Sequence, residues 1–247
     1  MDLTDKELLE RINNIELREG KERTVKSYVL RNNVISPKSE RIIKEHMNHY
    51  GFFFEDAPLD YAKLFGNNNP VVIEIGFGNG DTTAEVAIRR PEFNYIGIEV
   101  FLQGFVNLLG ELGKRDIENV RIIRFNAVDV LNHMIPDGSV EGFHIFFPDP
   151  WQKKRHHKRR LMNPEFLHLL ASKIRKGGYI YMVTDWEEYA EEVLELSTHE
   201  ELLYNPFGGF APPVTWRPVT KFEQKGMDSE HPINEIWLER VDHSSHS

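Results

Sequence analysis

Short apolar runs alternate with amphipathic segments along most of the chain. Runs rich in β-branched and aromatic residues predict five buried strands, at residues 71–75, 95–100, 120–125, 142–147 and 179–184. Apolar residues at helical spacing predict helices between these strands, at residues 81–90, 101–112, 163–174 and 186–197. Strands that alternate with helices are typical of a parallel sheet covered by helices on both faces.

The two ends of the chain depart from this alternation. Residues 38–50 have helical patterning and are followed by Gly51 and Pro58, so residues 1–66 are predicted to form an N-terminal extension that is helical in part. Residues 67–247 are predicted to form one α/β domain. Its last two strands are expected at 200–204 and 233–240, and the Pro/Gly-rich loop between them is long enough to suggest a functional role.

The composition is that of an ordinary soluble protein, with 40% hydrophobic and 28% charged residues. The chain contains no cysteine, which excludes a disulfide framework, an iron–sulfur cluster and a Cys-ligated zinc site. The first residues include no apolar run suited to a signal peptide or a membrane span. We therefore expect a cytoplasmic protein without membrane association.

The charge is unevenly distributed. The net charge is −9, yet residues 153–160 read KKRHHKRR, with six Lys or Arg in eight positions. A basic block on an acidic body indicates a local binding surface for a polyanion, although such a block is often only a solvated face. His156 and His157 are adjacent and point in different directions, so no metal site is expected.

A glycine-rich loop after the first predicted strand indicates a nucleoside cofactor. Residues 74–80 read EIGFGNG, and Glu99 stands at the tip of the second strand, where a carboxylate can accept both hydroxyls of a ribose. The loop lacks the G-x-G-x-x-G spacing of dinucleotide sites, which disfavours an oxidoreductase; an acid before the loop suits S-adenosylmethionine better. In the alternative interpretation, Glu74 solvates the loop amides and Glu99 caps a helix.

A Pro-Asp-Pro-Trp turn follows the fourth predicted strand and leads directly into the basic block. Its two prolines stiffen the backbone and fix the carboxylate of Asp149 beside the aromatic face of Trp151. Trp151 could stack on a base or cover the end of the sheet. Asp149 could also cap backbone amides, and Asp185 could simply begin a helix.

The sequence FPDPWQKKRHHKRR, together with the glycine loop and the downstream stretches TDWEEY and RPVTKFEQKG, resembles the bacterial tRNA (guanine-N7)-methyltransferases, the TrmB family. The resemblance extends from RTVKSYVLR at residues 23–31 to the last predicted strand. It implies a class I, Rossmann-like methyltransferase domain with a seven-stranded, mostly parallel sheet flanked by helices. It also implies S-adenosylmethionine as cofactor and tRNA as partner, with methyl transfer to N7 of a variable-loop guanine. The oligomeric state, monomer or homodimer, stays open.

The resemblance also assigns roles to individual residues. Asp149 is the expected catalytic residue. The expected cofactor-binding residues are Glu74, Gly76, Gly78, Glu99, Asn126 and Asp149. The expected substrate-binding residues are Lys153, Asp185, Thr220, Lys221, Phe222 and Glu223, and the expected RNA-binding residues are Arg155, His156, His157, Lys158, Arg159 and Arg160. Asn126 stands where many relatives have Asp, and its carbonyl can still accept the adenine amino group. Residues 23–31 either close over the tRNA or cofactor or form an ordinary surface extension.

The chemistry of this reaction suggests what the protein must supply. Guanine N7 has an available lone pair at neutral pH, so no general base is needed, and in-line alignment can contribute about 7–11 kcal/mol. Asp149 is expected to stabilise the positive charge that develops on the purine. Asp185 and Glu223 are expected to accept hydrogen bonds from guanine N1–H and its 2-amino group. A non-catalytic RNA-binding subunit with this fold and a methyltransferase acting on another RNA are the alternatives.

Overall fold

The computed structural model describes residues 4–13, 35–219, 223 and 232–241. Seven strands form one sheet. They are β1 (Val71–Ile75), β2 (Asn94–Glu99), β3 (Val120–Arg124), β4 (Val140–Phe146), β5 (Ile174–Thr184), β6 (Leu203–Tyr204) and β7 (Asn234–Arg240). The helices are α1 (Asp5–Asn13), α2 (Pro37–Tyr50), α3 (Tyr61–Phe65), α4 (Asp81–Arg89), α5 (Leu102–Arg115), α6 (Ala127–His133), α7 (Pro164–Lys173) and α8 (Glu187–Ser197).

The strand order β3-β2-β1-β4-β5-β7-β6 confirms the seven-stranded, mostly parallel sheet. Strands β1 to β5 pair in parallel, and β7 runs antiparallel between β5 and β6. The chain builds outward from β1 to β3 and then returns to place β4 on the other side of β1. The loops after β1 and β4 therefore leave the sheet in opposite directions, which opens a crevice at the carboxyl ends of these two strands.

Apolar side chains fill both faces of the sheet. One core contains residues of β1, β2 and β4 packed against α6, α7 and α8, and a second lies under α4 and α5. Ile43 and Met47 of α2 and Leu8 of α1 belong to this second core. Among the described residues, the predicted N-terminal extension therefore shares a core with the α/β domain.

Three local features differ from the sequence expectations. A seven-residue helix, α6, follows β3 where none was predicted, because its single apolar face is too short to show a helical period. The basic block contains a 3₁₀ helix at Lys154–Arg159. Strand β5 begins at Ile174, which had been assigned to the preceding helix, and its register with β4 shifts near Val140. None of the helices in the described ranges combines the length and the apolar composition needed to cross a membrane.

Candidate active site

The loop after β1 is shaped by glycines with left-handed backbone. Gly76, Gly78 and Gly80 have φ angles of 73°, 57° and 82°. Such angles are strained for residues with a Cβ, so the predicted loop has a conformational reason for its glycines. The Gly76 amide donates to the Ile98 carbonyl at 2.8 Å, which ties the loop to β2.

Glu99, the last residue of β2, holds this loop from the neighbouring strand. Its Oε2 accepts the Gly78 amide at 2.8 Å, and its Oε1 accepts the amides of Val100 and Phe101 at 2.7 and 2.9 Å. Burial raises the pKa of Glu99, and these three backbone hydrogen bonds oppose that shift. Glu99 thus binds the backbone amides that precede α5, as a helix-capping residue would. It also lines a cavity of about 250 Å³.

Glu74 is also buried, but its carboxyl group is bonded differently from that of Glu99. It is 2% exposed, and its Oε2 atom has no hydrogen-bond partner among the described residues. Burial raises the pKa of Glu74 to about 8. Glu74 also lines a larger groove of about 1040 Å³ that runs along the glycine loop. A buried polar atom without a partner beside a groove is suited to receive a donor or a cation from a ligand.

Asn126 lies on the wall of the smaller cavity, together with Glu99 and Phe125. Its side-chain oxygen accepts the Val128 amide at 3.1 Å and caps α6, while its Nδ2 donates to Asp129 at 2.9 Å. A carbonyl oxygen has two lone pairs, so the Asn126 oxygen retains one acceptor position for an adenine amino group.

Asp149 lies where the two cavities meet. It lines both of them, as do Gly76 and Phe147. The backbone around it is constrained, because Phe147 and Trp151 have φ angles of 50° and 43°. Non-glycine residues in this region store strain of about 1–3 kcal/mol each and persist only where the surrounding structure holds them. The structure thus places the Asp149 carboxylate between the glycine loop and the open groove.

Asp185 lies in the wall of the larger groove with Trp186. Trp186 is the N-cap of α8 and makes no side-chain cap hydrogen bond, and the Thr184 hydroxyl accepts the Trp186 amide at 3.2 Å. The structure therefore assigns the local capping bond to Thr184, and Asp185 is half-buried at the groove.

The basic block follows the Pro-Asp-Pro-Trp turn and exposes several cations to solvent. The side chains of Lys153, Lys154, Arg155 and Lys158 are exposed on and beside the 3₁₀ helix. Arg159 lies over the Trp151 ring, with its guanidinium carbon 3.8 Å from the ring centroid. Desolvation and the surrounding cations lower the pKa of His156. The other histidine of the block, His157, lies 3.2 Å from a guanidinium nitrogen of Arg160.

Arg160 does not share this exposed surface. It is 2% exposed, and its Nε donates to the Pro150 carbonyl at 2.8 Å. Its remaining nitrogens pair with Glu192 and Glu188 of α8. The guanidinium of Arg160 is thus buried and already bonded in this structure, and the expected contact of Arg160 with RNA stays a prediction.

Glu223 is the one residue of the predicted substrate loop that the structure describes. It is 1% exposed and forms an ion pair with Arg217 at 2.6 Å. In this structure the Glu223 carboxylate is bonded to Arg217, and its expected bond to guanine stays a prediction. Thr220, Lys221 and Phe222 lie outside the described residues, as do residues 23–31.

Arg217 is a buried residue beside the groove whose contacts the sequence did not indicate. Its Nε donates to the Tyr181 hydroxyl at 3.0 Å and its NH2 to Glu235 at 3.1 Å, so it joins the long loop to β5 and β7. The next two residues, Pro218 and Val219, form part of the groove wall. Arg217 belongs to the RPVTKF stretch, but nothing in that stretch indicates that its partners lie on two distant strands.

Comparison with known proteins agrees with this geometry. Residues 68–236 match the family model described as "Putative methyltransferase". Among solved structures, the 16S rRNA methyltransferase KamB is similar with a TM-score of 0.56 at 12% identity, covering 76% of this chain and 96% of that one. The 30S ribosomal A1408 methyltransferase from an uncultured bacterium has a TM-score of 0.51 at 16% identity, covering 74% and 95%. These likenesses confirm the class I methyltransferase fold.

Curated proteins match over nearly the whole chain. A tRNA (guanine-N(7)-)-methyltransferase of Methylobacillus flagellatus is 45% identical over 92% of this chain and 96% of its own length. The enzymes of the same name from Neisseria meningitidis serogroup C and Francisella philomiragia subsp. philomiragia are each 41% identical, over 90% and 89% of this chain and 93% and 96% of their own. The chain therefore belongs to the family of bacterial tRNA (guanine-N(7)-)-methyltransferases.

Proposed function

We propose that this protein transfers the methyl group of S-adenosylmethionine to N7 of a guanine in the variable loop of tRNA. The observation that carries the proposal is the position of Asp149. This carboxylate lies at the junction of the smaller cavity beside Glu99 and the larger groove, and the exposed cations of the basic block begin four residues further along the chain. The cofactor, the reacting base and the RNA backbone can thus bind next to one another.

The residues at the carboxyl ends of β1 and β2 fit S-adenosylmethionine. The smaller cavity has the Glu99 carboxylate and the Asn126 amide for an adenosine, and Glu74, whose buried Oε2 has no partner among the described residues, lines the adjoining groove, where it can bond a donor group of the ligand. When bound, S-adenosylmethionine supplies a methyl group activated by its sulfonium. Glu74, Glu99 and Asn126 then hold the donor, and the left-handed glycines let it approach the backbone closely.

Asp149 and Asp185 act on the base. Methylation at N7 leaves the purine positively charged, and the Asp149 carboxylate stabilises that charge as it develops. Asp185, which is half-buried in the groove wall, accepts hydrogen bonds from N1–H and the 2-amino group, which adenine does not offer in the same arrangement. Glu223 is left out of this role because it is bonded to Arg217.

The exposed cations of the basic block bind the tRNA backbone. Lys153, Lys154, Arg155 and Lys158 are free to approach phosphates. Replacing any one of them by Gln removes about one phosphate contact and is expected to lower the salt slope of tRNA binding by about one. We place the reaction in the cytoplasm, where the tRNA substrate is found.

The decisive experiment compares two versions of one tRNA that differ only by guanine or adenine at the variable-loop position. Label from S-adenosylmethionine on the guanine version alone, with strand scission at that base after mild reduction and aniline treatment, supports the proposal. Equal labelling of both versions rejects the proposed base and favours another RNA position. Binding of tRNA without labelling of either version would instead favour a non-catalytic RNA-binding subunit.

A further inference from the structure

Arg160 is the last residue of the basic block, but its surroundings differ from those of its neighbours. Its side chain is 1% exposed, whereas Lys154, Arg155 and Lys158 are exposed to solvent. A guanidinium that deep in the protein gives no access to a phosphate on the surface. Its burial requires partners that compensate both its charge and its N–H groups.

Those partners come from two directions. On one side, Nε donates to the carbonyl oxygen of Pro150, the residue directly after Asp149. On the other side, Glu192 and Glu188 on α8 supply two carboxylates, and the guanidinium lies over the Tyr189 ring at 4.9 Å. Arg160 therefore connects the Pro-Asp-Pro-Trp turn to a rigid helix.

The turn needs such support. Phe147 and Trp151, which flank the Pro-Asp-Pro sequence, both have left-handed φ angles without being glycine. Strained backbone of this kind relaxes unless the surrounding contacts fix it. The position of the Asp149 carboxylate depends on the turn, and the Pro150 carbonyl is held from outside the turn by the buried cation.

We propose that Arg160 is a positioning residue, which acts through Pro150 to hold Asp149 in its place between the two cavities, and that it takes no direct part in RNA binding. This inference rests on the proposed function. The planar fork of Arg matches the Pro150 carbonyl and the two carboxylates at once. A lysine at this position keeps the charge and loses that geometry.

The test compares Arg160→Lys with Arg175→Lys in the full chain. Arg175 also pairs with a carboxylate, Glu141, but lies at the opposite end of β5, away from the site. Methyl transfer is measured at saturating tRNA and S-adenosylmethionine, and tRNA binding is measured over a range of salt concentrations. We expect Arg160→Lys to lower kcat by about tenfold to a hundredfold, with the salt slope of tRNA binding unchanged, whereas Arg175→Lys matches the wild type.

One further variant makes the outcome independent of the folding of Arg160→Lys. Glu192→Gln removes the negative charge of one partner of Arg160 without changing the basic block. A lowered kcat with an unchanged salt slope in this variant supports the proposal even if Arg160→Lys does not fold. A salt slope lower by about one in Arg160→Lys, with a raised KM and an unaltered kcat, would show a phosphate contact and overturn it. Absence of methyl transfer by the wild type would count against the proposed function, not against this role of Arg160.

Discussion

The carbonyl oxygen of Gly78 lies directly against Gly104 of α5, so that a Cβ on Gly104 would come within 2.0 Å of it. The glycine loop is thus fitted between Glu99 on β2, which binds its amide, and the first turn of α5, which leaves room for its carbonyl. The shape of the cofactor loop depends on both contacts.

Gly104→Ala should therefore displace the loop. We expect the affinity for S-adenosylmethionine to fall by about tenfold or more. The reason is that overpacking costs about 1–3 kcal/mol and here strains the cofactor loop itself. Calorimetric titration measures this. Gly110→Ala on the same helix is the matched control, because its Cβ would meet only Ile42 at 3.4 Å. Equal affinities in the two variants would contradict the close packing of the loop.

Glu99→Gln should weaken both the fold and the cofactor site. A glutamine offers one acceptor oxygen to the three amides that Glu99 binds and turns its NH2 towards at least one of them. Unsatisfied buried donors cost about 1–3 kcal/mol, which denaturant unfolding detects. Glu165→Gln, at an exposed position in the first turn of α7, is expected to change neither stability nor cofactor affinity.

Glu74 should make stability pH-dependent. Burial raises the pKa of Glu74 from 4.5 to about 8, so the folded chain retains a proton that the unfolded chain has released. The stabilisation from this carboxyl group is therefore present at low pH and is lost as the pH rises from about 4.5 to about 8. The side chain of Glu74→Gln cannot ionise. The free energy of unfolding of this variant should therefore rise relative to that of the wild type as the pH increases across this window.

Urea titrations of both proteins at several pH values measure that difference. A difference that stays constant with pH would show that Glu74 is ionised in the folded protein throughout.

Asp149→Ala should impair turnover far more than cofactor binding. Removing one preorganised electrostatic group typically costs about a hundredfold to a thousandfold in kcat. Single-turnover methyl transfer and calorimetric titration of S-adenosylmethionine separate the two effects. Full activity in the variant would reject the catalytic assignment.

Arg217→Met should destabilise the fold through the carboxylates that it leaves behind. Arg217 pairs with Glu223 and Glu235, which are 1% and 3% exposed. Breaking a buried pair from one side costs about 3–5 kcal/mol. Arg175→Met breaks the more exposed pair with Glu141 and should cost about 0–1 kcal/mol. Similar losses in the two variants would contradict the burial of the Arg217 network.

Local patterns were sufficient for the parts of the site that lie within one loop. The glycines at residues 76, 78 and 80 permit a left-handed backbone, and the prolines around Asp149 stiffen the turn, so a tight loop and a stiff turn were predictable from residue type. The buried strands were predicted because apolar runs of that length fit a covered parallel sheet. Family resemblance added the reaction and the identity of the substrate, which no local pattern contains.

The tertiary structure decided which charged side chains face the groove. In the sequence, Arg160 is one of six cations of the basic block. Only the packing of α8 against the turn shows that two carboxylates pair with it and that it is buried. Likewise, Glu223 and Arg217 are near each other in the chain, but their burial depends on β5 and β7 meeting at the long loop. Charge is a property of the residue, whereas solvent access depends on contacts between distant segments. For this reason the sequence by itself determined the loop geometry and the family, and the fold determined which charges remain free to bind.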